Sequence, residues 1–144
     1  MSRIHLLPLI CVSAALLGLV SPALSNEPAA EPTLACSNAM NTHDMNICAQ
    51  EELDNADTAL NAIYKTSLAA IPGMASEQPY DAKTWEQALR ASQRAWVAFR
   101  DAECNGHVSL FLTGGTATTA EVLSCMTQMT QARAKSLKEQ YGPN

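Results

Sequence analysis

Between residues 42 and 71, apolar or small side chains fall at Ala49, Leu53, Ala56, Leu60, Ile63, Ser67 and Ile71, with spacings of 4, 3, 4, 3, 4 and 4. That is one face of an amphipathic helix. Asn41 or Thr42 can cap its start, and Asp44, Glu51 and Glu52 suit the positive end of a helix dipole. Pro72 and Gly73 predict a stop near Ala70, with "PGMASEQPY" as the connecting loop. A second periodic run, capped by Asp81, carries Trp85, Leu89, Ser92, Trp96, Phe99 and Glu103 on one face and ends at Cys104. This face predicts that the aromatic rings of Trp96 and Phe99 belong to the core. Gly114 and Gly115 then break the chain, and Thr118 with Glu121 predicts a capping box. Val122, Met126, Met129, Arg133, Leu137 and Tyr141 mark a third helix, which ends at Gly142 and Pro143. "HVSLFL" is the one run with strand character, and no segment alternates strictly with period two. The pattern predicts an all-α protein, a small antiparallel three-helix bundle in which the long first helix lies across the hairpin of the other two.

The beginning of the chain follows different rules. Arg3, an apolar run from Ile4 to Val20 and the small residues Ala23 and Ser25 have the layout of a secretory signal over residues 1–25, cut before Asn26. Bulky Ile10 ahead of Cys11 argues against a lipidation site, so no membrane anchor is expected after cleavage. Residues 26–35, with two prolines and no periodicity, predict a flexible leader. Residues 36–141 then form a single domain, delivered to the periplasm or secreted.

Export gives the cysteines their meaning. Cys36, Cys48, Cys104 and Cys125 remain after cleavage, an even number in an oxidising setting, and three pairings are open to them. Cys104 closes the second helix, Cys125 lies near the start of the third, and the Gly-Gly turn falls between them, so a hairpin brings the two together. Cys36 precedes the first helix and can fold back on Cys48. Two disulfides, 36 with 48 and 104 with 125, are therefore predicted to staple the bundle. No CxxC or HxxxH spacing suggests zinc.

Charge narrows the partners. The net charge is −5, and loss of Arg3 makes it more negative still. An acidic chain is a poor match for the phosphates of nucleic acid. Catalytic chemistry is hard to find: His43 and His107 have no nearby orienting residue, and no nucleophile elbow, carboxylate-lined metal loop or cofactor motif is present. The expectation is a non-enzyme with no cofactor and no metal. Glu51, Glu52 and Asp54 are candidate contacts for a basic partner, and Val108 and Phe111 are candidate apolar anchors in the loop ahead of the glycines. Arg100, one position after Phe99, can lay its stem along the core edge and reach Asp54 or Asp57 on the first helix.

These stretches resemble a known family. "CSNAMNTHDMNICAQEELDNADTALNAIYKTSL", "ASQRAWVAFRDAEC" and "SCMTQMTQARAKSLKEQY", with "GGT" between the last two, are similar to the LprI-type lysozyme inhibitors, small exported bacterial domains. The resemblance runs from about Cys36 to Tyr141 and rests on the four cysteines and on residues including Asp57, Tyr64, Arg94, Trp96, Phe99, Arg100, Asp101 and Arg133. These motif positions read as structural. The resemblance implies a protein partner, a cationic lysozyme, inhibited by steric blockage of its cleft. The alternative is a non-enzymatic envelope module that assembles with another exported protein.

Overall fold

The computed structural model describes residues 36–142, so the predicted signal (1–25) and leader (26–35) lie outside the described residues. A short 3-10 turn, Cys36–Asn38, leads into α1 (Thr42–Met74); α2 (Ala82–Asp101) and α3 (Thr118–Tyr141) follow. No strand occurs among the described residues. The protein is all-α, and both disulfides join the predicted partners, Cys36 to Cys48 and Cys104 to Cys125.

α1 starts where its cap allows. Asn41 is extended, and its side chain accepts a hydrogen bond from the Asp44 amide at 3.0 Å. The predicted face is the buried one, with Leu53, Ala56, Leu60, Ser67 and Ile71 all inside. The helix does not stop at Ala70 but runs through Pro72 to Met74. A residue before proline is normally pushed out of the helical region. Ile71 is 1% exposed, and its burial, about 1.5–3 kcal/mol for such a side chain, holds the backbone helical for one more turn. Ala75 then closes the helix by donating to the Ile71 carbonyl at 2.9 Å.

Asp81 caps α2, accepting from the Thr84 amide at 3.1 Å and the Thr84 hydroxyl at 3.0 Å. Here the predicted face is only half right. Trp85, Leu89 and Trp96 face inward, but the inner stripe continues through Gln93, Arg100 and Cys104, while Ser92 and Phe99 are exposed. Cys104 does not end the helix. The chain winds on through a π-helical segment, Ala102–Val108, and a helical turn, Ser109–Phe111. Wider π winding leaves carbonyls poorly served, and the Ser109 hydroxyl donates to two of them, at Asn105 and Gly106. The run with strand character is therefore helical. Thr113 and Gly114 turn the chain with φ of 49° and 74°, conformations that suit glycine best.

The predicted capping box at α3 is absent. Residues 115–117 already coil, with Thr118 donating its amide to the Gly115 carbonyl, so Thr118 is the first residue of the helix and not its cap. Its hydroxyl is buried without a partner.

α1 and α3 run parallel and α2 antiparallel to both. Asp57, Arg100 and Thr130 lie at one level, and Ser67 and Leu137 lie at another, farther along α1 and α3. α1 does not lie across a hairpin of equals; its backbone approaches α3 far more closely than α2. Small side chains permit this, since helix separation follows the residues at the contact: Ala56 and Ser67 are among the buried residues of α1, and Thr127, Thr130 and Ala134 among those of α3. The main apolar core, Leu60, Ile71, Leu89, Ala134 and Leu137, occupies the half near the α1–α2 loop. The other half is thinner in apolar residues and carries both disulfides.

Candidate functional site

At mid-height the three helices meet on one guanidinium. Arg100 donates from Nη1 to Asp57 Oδ1 at 2.8 Å and to the Thr130 hydroxyl at 2.9 Å, and from Nε to Asp101 Oδ1 at 3.0 Å. Its carbon also sits 5.3 Å from the Trp96 ring centre, a cation–π distance. The side chain is 10% exposed against 40% for Asp57, so the acid keeps water on one side. Asp57 is engaged through one oxygen, and Asp54 instead accepts from Gln50 at 2.8 Å. Thr130, fully buried, completes a junction that charge matching between α1 and α2 alone does not reveal.

This level divides the molecule electrically. Residues 36–64 and 101–132 contain no lysine or arginine. They carry Asp44, Glu51, Glu52, Asp54 and Asp57 on α1, Asp101 and Glu103 on the second arm, and Glu121 on α3. Among the described residues, every lysine and arginine except Arg100 at the boundary lies in the opposite half, namely Lys65, Lys83, Arg90, Arg94, Arg133, Lys135 and Lys138, where they outnumber Glu77, Asp81, Glu86 and Glu139. The folding pattern thus converts a modest net charge into an acidic end and a basic end. The linear signal for this is plain in retrospect, two long stretches without a cation that the antiparallel topology brings side by side.

The acidic end also has an apolar tip. Leu110 and Phe111 are 75% and 74% exposed; nearer the mid-height boundary Phe99, one of the rings expected inside, is 58% exposed. Phe99 faces out because the helix register is set by Trp96, Arg100 and Cys104, which point at the other helices. His107 stacks edge-on against Phe111 with centroids 5.0 Å apart and approaches Glu103 through Nδ1 at 3.1 Å. A groove of about 330 Å³ runs between the π segment and α3, bounded by Glu103, Val108, Glu121, Ser124, Cys125 and Gln128.

Among the residues singled out from sequence, Glu51, Glu52, Asp54 and Phe111 are exposed and Val108 is half-buried. They share one end of the bundle without forming one cluster. α1 makes no close backbone contact with Ala102–Val108, and α3 bridges the two. Tyr64 is half-buried against the core and Arg94 is exposed. Arg133 reaches α2, where Nε donates to Gln93 at 3.0 Å and Nη2 to Ser92 at 3.0 Å. No group of three His, Cys, Asp or Glu able to hold a metal occurs among the described residues, and His43 is exposed.

The fold and this end define a class: a small, disulfide-stapled helical module with an acidic end and an exposed apolar tip. The sequence matches the family described as Lysozyme inhibitor LprI over residues 35–137, and the chain belongs to that family. A relative from Rhizobium meliloti (strain 1021), the uncharacterized protein R02472, is 32% identical over 127 residues, covering 86% of this chain and 88% of the relative. No solved structure matches. Disulfides belong to oxidising compartments, and with the family they point to a protein outside the cytoplasm. Among the described residues, no helix is long and apolar enough to cross a membrane.

Proposed function

We propose that the protein is a non-enzymatic, exported inhibitor of lysozyme that docks by its acidic end and obstructs the enzyme's cleft. The carrying observation is the segregation of charge: a half-molecule without one exposed lysine or arginine, tipped by Leu110 and Phe111. Lysozyme is cationic, and complementary fields accelerate encounter more than they deepen binding. Glu51, Glu52 and Asp54 steer, while Phe111 and its neighbours supply the desolvated contact that holds the complex. Blockage by a docked surface needs no chemistry from the inhibitor.

The test is titration of oxidised protein against lysozyme acting on cell walls. Stoichiometric inhibition is expected, weakening from low to physiological salt as screening shortens to about 8 Å. The triple change Glu51→Lys, Glu52→Lys, Asp54→Lys is expected to slow association, and Phe111→Ser to speed dissociation. Absence of inhibition at micromolar protein refutes the proposal and favours assembly with another exported protein.

A further inference from the structure

Among the described residues of the basic end, Lys65, Lys83, Arg94, Arg133 and Lys138 have no acidic partner, and Arg133 is the half-buried one of them. Arg100 lies between two carboxylates and Arg90 is paired with Glu86 at 2.8 Å, which holds its guanidinium charged. Arg133 is different: its two protein acceptors, Gln93 and Ser92, are both neutral. A guanidinium has five N–H donors in a planar fork. Two are engaged here, which fixes the plane of the group, and the others have no protein acceptor among the described residues.

Arg133 borders a groove of about 280 Å³ between α2 and α3, bounded also by Trp85, Leu89, Ser92, Gln140 and Tyr141. The nearest acids along these helices, Glu86 and Glu139, pair with Arg90 and Lys135 and do not border the groove. Its size lies at the small end of ligand pockets, about 300 Å³. Two aromatic side chains offer flat faces, a hydroxyl and an amide offer hydrogen bonds, and a pre-oriented guanidinium offers a two-pronged seat for a carboxylate. A purely structural arginine at this place would gain more from an acidic partner than from Gln93 and Ser92, since charged acceptors make the stronger bonds.

We propose that the α2–α3 groove at the basic end binds a small carboxylate carrying a ring, with Arg133 on the carboxylate and Trp85 and Tyr141 on the ring. An acidic sugar and an aryl acid share this chemistry. The site lies away from the acidic end and does not depend on the inhibitor reading.

The experiment is two-dimensional amide and side-chain NMR of the oxidised protein, titrated with glucuronate and, separately, with 3-phenylpropionate. Glucose and 3-phenylpropionamide serve as uncharged counterparts. Saturable shifts are expected at the Trp85 indole, the Arg133 side chain and Ser92, with a Kd of about a millimolar for at least one acid and none for its uncharged counterpart. Tighter binding of glucuronate identifies a sugar acid, and of phenylpropionate an aryl acid. Arg133→Gln is expected to weaken binding about tenfold or more. Gln140→Glu, at an exposed position on the rim of the same groove, adds a carboxylate that repels an incoming acid and is expected to weaken binding several-fold. Absence of saturation by both acids in the folded protein overturns the proposal. So does equal binding of the uncharged counterparts, or undiminished binding by folded Gln140→Glu and Arg133→Gln variants.

Discussion

Replacing Arg100 by methionine keeps an unbranched apolar stem at the junction of the three helices and deletes only the guanidinium. Three donated hydrogen bonds are lost, to Asp57, Thr130 and Asp101, together with the cation–π contact to Trp96. A hydrogen bond to a charged group contributes about 1.5–3 kcal/mol, but the loss here is softened. Asp57 and Asp101 keep 40% and 46% of their side-chain surface exposed, so both carboxylates rehydrate. The Thr130 hydroxyl still has Asp57 at 3.4 Å. The cost should therefore fall below the roughly 3–5 kcal/mol of breaking a fully buried pair, near 2–3 kcal/mol, or about 10–15 °C in melting temperature for a domain of this size. Urea and thermal unfolding of the oxidised protein, followed by circular dichroism, read it directly. A cycle with Asp57→Asn should give a coupling of about 1–2 kcal/mol. A loss under about 0.5 kcal/mol, or a cycle without coupling, would refute the junction as a stabilising element.

Other consequences can be checked on the same protein. Phe99→Ala should change stability by no more than about 0.5 kcal/mol, because the ring lies outside; a loss of core size in the melting curve would place it within. Ala134→Leu should destabilise by about 1–3 kcal/mol through overpacking, since α1 and α3 approach on small residues, and an unchanged urea midpoint would contradict that spacing. Asp81 accepts from the Thr84 amide and hydroxyl, which hold its carboxyl below the ordinary 3.8. A depressed pKa in the folded state adds stability above pH 3.8 that is lost as pH falls through the lower folded value. Thermal melts from neutral pH to about pH 2 should therefore show wild type declining more steeply than Asp81→Asn, and parallel profiles would count against the cap.

How far the sequence could be read depended on how many neighbours a helix face serves. α1 buries one stripe, and its apolar periodicity located Leu53, Ala56, Leu60, Ser67 and Ile71 correctly. α2 departs from its predicted face at Ser92, where Gln93 takes the inner place, and again after Trp96, because Phe99 outranks Arg100 on any scale of apolarity. Counting back in fours from Cys104, which must face Cys125, leads to Arg100 and Trp96, so the disulfide held the better clue. The end of α1 was misplaced because the sterics of Pro72 are local, whereas the burial of Ile71 is a tertiary effect. At the acidic end, Glu51, Glu52, Asp54 and Phe111 could be named one by one. The segregation of charge has a linear signal, the cation-free stretches 36–64 and 101–132, but becomes an acidic end only when those stretches are laid onto the three-helix topology. The groove at Arg133 depends on Gln93 and Ser92 across a helix interface, a pairing without any linear signature.

The closest helix pair joins the two extremes of the domain. Leu60, Ser67 and Ile71 find their main cover in residues near Thr130 to Tyr141, so a chain that stops before Thr118 has no half able to bury its own apolar stripe. Such a domain stays open while it is being made, because contacts distant along the chain form only once both partners exist. The bundle therefore closes only once its last helix is available.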